Sequence, residues 1–295
     1  MSAAQLRPMG IGEILDGTFS LYRKHFVLFF VTALIPFAPL VPLYATMLDP
    51  AVLADPVAAQ AAGGTIVLLG LASGIGMMVA MGALAHNVSQ AFTGGTVSFA
   101  TGMGRGLRAL FPLFLTGILA YIAIFAVTMI VGFAFGAISA VLTAVSGVVG
   151  ALFVIVAAVL AAIAMFGLLA SLFAVVPAVV VERKGPISAL ARSWRLASGA
   201  RLRIVGVFII CWLITSLPLF GVMVALGLGT ALFDPNAAAT LTTGQVYLQQ
   251  GATMLTGALT FPFFVGCLML VYYDRRIRTE GYDVQLAAEA IGAAR

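Results

Sequence analysis

His86 and Asn87, with Gln90 one helical turn on, come closest in this chain to a proton-carrying or catalytic cluster. An imidazole titrates near neutral pH and can pass a proton. A lone histidine at the end of an apolar run reads first as an interfacial hydrogen-bonding residue and only second as a relay. The other histidine, His25, stands beside Arg23 and Lys24 and reads as a membrane-surface residue. Cys211 and Cys267 both lie inside apolar runs without a metal-type partner at ligand spacing, so they read as small buried apolar side chains. Gly10-x-Gly12 and Gly102-x-Gly104-x-Gly106 look like fragments of a phosphate loop, but neither follows a strand or completes a fingerprint. The sequence therefore predicts no catalytic residue, no cofactor site and no metal site, and a protein that is not an enzyme.

What remains is charge. The 73 residues from Ala109 to Val181 contain no Lys, Arg, Asp or Glu, and then six basic residues fall between Arg183 and Arg203. The core of that segment is GPISALARSWRLASGARLR, Gly185 to Arg203. Nucleic acid is excluded as its partner because apolar runs of membrane-crossing length flank it on both sides. In a chain that is 62% hydrophobic and 8% charged, a basic excess reports membrane topology and contact with anionic lipid.

A helix needs about 20 largely apolar residues to cross the hydrocarbon core. Six windows satisfy this, roughly 26–48, 64–86, 110–136, 148–177, 204–232 and 252–273, and none contains a Lys, Arg, Asp or Glu. The third and fourth come from one uncharged run, which has to be split near 137–147, where Ser139, Thr143, Ser146 and Gly147 offer turn chemistry. The first window, after a polar lead of 25 residues, reads as a retained span and not as a cleaved signal peptide.

Six crossings with both termini inside place all 15 Lys and Arg on one side. They fall before the first window, between the second and third, between the fourth and fifth, and after the sixth; the other connections carry only Asp49, Asp55 and Asp234. Positive residues near span ends stay cytoplasmic. The expected fold is thus all-α: a polytopic membrane protein with six transmembrane helices in a single domain, both termini cytoplasmic, and a cytoplasmic tail at 274–295.

Three cytoplasmic segments, roughly 10–25, 96–108 and 186–199, have amphipathic helical spacing. In the last, Ile187, Leu190 and Trp194 oppose Ser188, Arg192 and Arg195. Gly95-Thr-Val-Ser98 aligns with Gly185-Pro-Ile-Ser188, and Arg105 with Arg195, at an offset of 90. Two readings stand: a threefold repeat of surface helix, span and return span, or independent use of Gly, Ser and Arg at each helix entrance. Arg23, Lys24, Arg105, Arg108, Arg192 and Arg195 are the candidate lipid-headgroup contacts, and Trp194 is the candidate interfacial anchor. Tyr44, Tyr272 and Tyr273 also fit interfacial anchors. Pro36, Pro39 and Pro42 predict a break in the first span, Pro177 one in the fourth, and Pro218 and Pro262 breaks in the fifth and sixth. Small residues in 70–84, at Gly132 and Gly136, and in 157–164 predict close helix packing.

RPMGIGEILDGTFSLYRKHF (Arg7–Phe26), VPAVVVERKGPISALARSWRLASG (Val176–Gly199) and YYDRRIRTEGYDVQL (Tyr272–Leu286) resemble a bacterial family of six-helix membrane proteins labelled after the membrane domain of glycerophosphoryl diester phosphodiesterase. The resemblance implies an all-helical protein of the bacterial cytoplasmic membrane. It does not imply the phosphodiesterase reaction, which belongs to a separate soluble barrel that nothing here could form.

The function expected from these features is non-enzymatic: binding or moving lipid-like or amphipathic molecules, with anionic headgroups as cytoplasmic-side partners. A structural or scaffolding subunit that recruits membrane-protein partners, or copies of itself, is the alternative. An intramembrane enzyme built around His86-Asn87 comes third. The topology is directly checkable: a reporter fused near Ala58 should behave as external and one near Gly199 as cytoplasmic, and the reverse pattern would sink the six-crossing arrangement.

Overall fold

The computed structural model describes residues 7–229, 241–282 and 284. The end of the fifth expected span (230–232), Asp234, and the tail from 285 to Arg295 lie outside the described residues. The described residues are mostly helical, with no strand among them. Five helices are long and apolar enough to cross a membrane. The chain divides into two compact units, residues 1–110 with 207–295, and residues 111–206.

The first unit begins with α1 (Ile11–Lys24). The Gly10 N–H donates to Glu13 Oε2 at 2.7 Å, which ties the extended residue to the first turn. The first apolar window does not form one helix. It gives α2 (Phe26–Leu34) and α3 (Leu40–Met47), with turns over 35–39. Pro36 and Pro39 account for the gap, since each lacks an N–H and clashes with the preceding turn. Pro42 sits within the first turn of α3, where the missing donor costs nothing.

Asp49 and Asp55 then cap two helices that each open on proline, α4 (Pro50–Ala54) and α5 (Pro56–Thr93). Their carboxylates accept from Ala51 N and Val57 N at 2.9 Å. Gly94, at φ 83°, ends α5 in the left-handed conformation that glycine adopts without steric cost.

The next helix, α6 (Phe99–Val145), departs from expectation. The predicted surface helix 96–108 and the predicted span 110–136 are one continuous element. Pro112 lies inside it. No glycine in a left-handed conformation and no extended residue intervenes between the amphipathic turns and the apolar ones, so the backbone bonding propagates through. At 47 residues it is about 70 Å long, more than twice a hydrocarbon core of about 30 Å. It ends at Ser146, an extended residue (φ −158°) inside the expected turn region.

The second unit continues with α7 (Gly147–Ser171), α8 (Val175–Val180) and α9 (Pro186–Ala197). The break expected at Pro177 occurs one turn earlier, at Leu172–Ala174, because a proline clashes with the turn that precedes it. The last two helices are α10 (Arg201–Ala225) and α11 (Thr243–Glu280). Pro218 and Pro262 lie inside these helices without ending them, contrary to the expected breaks.

In the first unit α11 is the central element. Val265, Cys267, Met269 and Tyr272 on it are fully buried. It packs against α1, α2 and α5. Glycines set the closest approaches: a Cβ on Gly266 would lie 2.7 Å from Thr18 Cγ2, and one on Gly82 only 2.9 Å from Gly106 Cα. A Cβ on Gly106 would overlap the Val79 carbonyl. The crossing of α5 and α6 therefore depends on bare backbone, as the small residues of 70–84 predicted. Gly132 and Gly136 behave otherwise, with open space beside them.

Gly106→Val should lower thermal stability in detergent by about 1–3 kcal/mol or more, because the carbonyl it meets cannot move aside. Gly132→Val should leave the unfolding midpoint nearly unchanged. Equal midpoint shifts would show that the α5–α6 crossing is not glycine-dependent.

Candidate lipid-headgroup surface

The basic residues singled out by sequence are placed on α1, on the first turns of α6 and on α9. Arg23 and Lys24 are exposed in the last turn of α1, where cations also favour the helix dipole. In the turn that follows, burial and the Lys24 charge hold the His25 imidazole below its ordinary range. Burial pushes the neighbouring Tyr22 hydroxyl up to about 12, so it stays protonated and donates to the Leu259 carbonyl at 2.8 Å. Arg108 is exposed on α6, while Arg105 is half-buried within electrostatic reach of His86.

In the second unit, α9 packs through its small residues. Its buried side is Ala189, Ser193, Leu196 and Ala197. Ile187 and Trp194 are 77% and 49% exposed, next to exposed Ser188 and Arg195. The small residues pack inward because they let α9 approach the break between α7 and α8 closely. There the Ser193 hydroxyl donates to the Ser171 carbonyl at 2.8 Å and accepts from Ala174 N at 2.9 Å. These are two backbone groups at the α7–α8 break.

Arg192 is turned inward as well, which corrects its expected place among the headgroup contacts. Its Nε lies 2.9 Å from both carboxylate oxygens of Glu182, and its Nη2 lies 2.9 Å from Oε1. The two side chains are only 12% and 13% exposed. A forked guanidinium–carboxylate pair of this kind fastens α9 to the segment after α8. Lys184 adds a longer contact to the same carboxylate at 3.6 Å.

Arg201, passed over in the sequence, takes a place on this surface. Its guanidinium lies 4.6 Å from the Trp194 ring centroid, and its Nε donates to Ser171 Oγ at 2.9 Å. The spacing of seven between Trp194 and Arg201 was a weak signal, because Gly199, at φ 73°, turns the chain between them.

Two further features were missed. Tyr272 and Tyr273, expected at the interface, are fully buried. Tyr273 shares a 2.6 Å hydrogen bond with Ser89 and stacks on Phe92 at 4.8 Å. Below them, buried Asp274 accepts the Met9 N–H at 2.8 Å and Arg278 Nε at 2.9 Å, while Arg278 donates to the Met9 carbonyl at 2.9 Å. This clasp joins the segment before α1 to the end of α11. The signal for it was an i,i+4 Asp–Arg pair, which by itself reads as a surface ion pair. Asn87 is fully buried against Gly102, and neither of its amide atoms has a partner among the described residues. Among the described residues no three His, Cys, Asp or Glu side chains cluster to hold a metal ion.

Residues 9–275 match the family described as a domain of unknown function, DUF7847. The chain belongs to this family. The matched region begins at Met9 and ends beside Asp274, the two residues joined by the clasp. No curated protein and no solved structure gives a significant match.

Glu182→Gln should destabilise the protein by about 3 kcal/mol, since it removes the carboxylate that faces the largely buried Arg192 guanidinium. Adding Arg192→Met to it should recover part of that loss, a coupling that thermal unfolding of both single variants and the double variant measures. Additive losses would mean the two side chains do not act as a pair.

Proposed function

We propose that this protein is a non-enzymatic multi-pass protein of the bacterial cytoplasmic membrane that binds anionic lipid headgroups on its cytoplasmic side. In this reading it crosses the membrane six times, the broken α2–α3 segment making the first passage, with both termini inside. The single observation that carries the headgroup role is the outer face of α9. Ile187 and Trp194 are exposed there beside Arg195, and Arg201 is stacked on Trp194. An aliphatic side chain and an indole suit the acyl boundary, and guanidinium groups suit phosphate at the headgroup plane. Arg23, Lys24 and Arg108 offer basic side chains of their own within the other unit. Arg192 supports the surface from within by fixing α9.

Each cation near an anionic surface contributes about 1 kcal/mol, or about fivefold in affinity. Titration with phosphatidylglycerol in detergent micelles, followed by native mass spectrometry, should show Arg195→Gln weakening retention about fivefold. Combining it with Trp194→Ala should weaken retention further. Unchanged retention in the double variant would overturn the headgroup role.

A second reading has its own observation. Gly132 and Gly136 leave open space on a helix whose most apolar stretch is not buried at all within this chain. Such a face suits a partner helix, which is the scaffolding alternative. A stoichiometric partner on mild solubilisation that is lost in Gly132→Val/Gly136→Val would favour it.

A further inference from the structure

Two cysteines that sequence separates by 56 residues meet in the fold. Cys211 on α10 and Cys267 on α11 have no exposed surface. They form one packed cluster with Phe263, flanked by Leu15 and Phe264. The two side chains therefore meet where α10 and α11 pack, and Thr18 of α1 lies against the neighbouring Gly266, where an added Cβ would sit 2.7 Å from its Cγ2. The Thr18 hydroxyl donates to the Ile14 carbonyl at 2.7 Å. Both are free cysteines. Among the described residues no His, Asp or Glu joins them to complete a metal-ligand set. Two thiols facing each other across a helix–helix contact, and little else that titrates, are the parts of a two-electron couple.

Their depth selects the oxidant. Cys211 lies seven residues inside the apolar window that starts at Ile204, and Cys267 six residues inside the one that ends at Tyr273. At 1.5 Å per residue both are about 10 Å from the same edge of the bilayer core. Water-soluble disulfides do not partition to that depth, whereas a quinone dissolves there. On α10 the neighbours Ile209, Ile210 and Trp212 are exposed, so one layer of side chains separates Cys211 from lipid.

We propose that Cys211 and Cys267 are a redox pair that closes to a disulfide between α10 and α11, with a membrane quinone as the electron acceptor. Each thiol gives up its proton, one sulfur–sulfur bond forms, and two electrons and two protons convert the quinone to its quinol. Nothing else is consumed. The proposal requires that α10 and α11 lie in the bilayer; it does not depend on the headgroup reading.

The test uses the full chain in phospholipid vesicles under anaerobic conditions with a fully substituted short-chain ubiquinone, whose ring cannot be alkylated by thiols. Free thiols are then trapped with N-ethylmaleimide in denaturant, and the intact mass is read. The expected result is one quinol per chain, no maleimide adduct, and both adducts regained after dithiothreitol. Cys211→Ser and Cys267→Ala should each form no quinol and keep one adduct. Two maleimide adducts and unchanged quinone in the wild type overturn the quinone as acceptor. A parallel reaction with membrane-permeant dipyridyl disulfide checks the pair itself: closure with release of both thiopyridones supports it, and stable mixed adducts on both cysteines overturn it.

Discussion

Everything in this fold answers to one constraint: in an apolar medium each backbone N–H and C=O must find its partner within the protein. Long helices meet it automatically. Where prolines force a break, a serine from another helix supplies the missing partner. At the first break the Ser73 hydroxyl of α5 donates to the Pro36 carbonyl at 2.6 Å. At the second, Ser193 of α9 serves both the Ser171 carbonyl and the Ala174 N–H. The breaks are thus built features, each with a partner helix brought close enough to repair it. Small residues permit that closeness: a Cβ on Gly76 would lie 3.1 Å from Pro36 Cα, and one on Gly257 2.8 Å from the Phe37 ring.

The same constraint governs charge. Ionisable groups that leave water are tolerated only as hydrogen-bonded pairs. Glu182 with Arg192, and Asp274 with Arg278 and the Met9 backbone, are such pairs. Both stand just beyond the apolar windows, and both do a job of attachment. One fixes the amphipathic α9 to its unit, and the other fastens the start of the chain to the end of α11. With Arg192 satisfied internally, the outward chemistry of α9 falls to Arg195, Trp194, Ile187 and the neighbouring Arg201. The amphipathic α9 has a packed underside and an exposed side, and cations occur on both.

Much of the architecture was legible because hydrophobic length and charge exclusion are one-dimensional properties. The windows at 64–86 and 252–273 lie within α5 and α11, and the turn demanded by the long uncharged run falls at Ser146. The proline spacing at 36, 39 and 42 correctly located the first break, and Pro177 located the second to within a turn. Local sequence pattern and structure part company where the outcome depends on the surroundings of a segment. Residues 99–108 have the periodicity of a surface helix, but the amphipathic turns simply continue into α6, since nothing interrupts backbone bonding. Pro218 and Pro262 have the same local chemistry as Pro36, yet their helices continue. Tyr272 and Tyr273 have interfacial chemistry, and tertiary packing buried them.

By itself, the sequence determined that this chain is helical and where its long apolar segments and its cations fall along the chain. Those follow from transfer free energies and helix geometry, which act residue by residue along the chain. Only the tertiary structure decided which charges are paired inward, which glycines carry a crossing, and that two distant cysteines touch. Each of these depends on side chains brought together from helices tens to hundreds of residues apart, and local periodicity holds no information about such pairings.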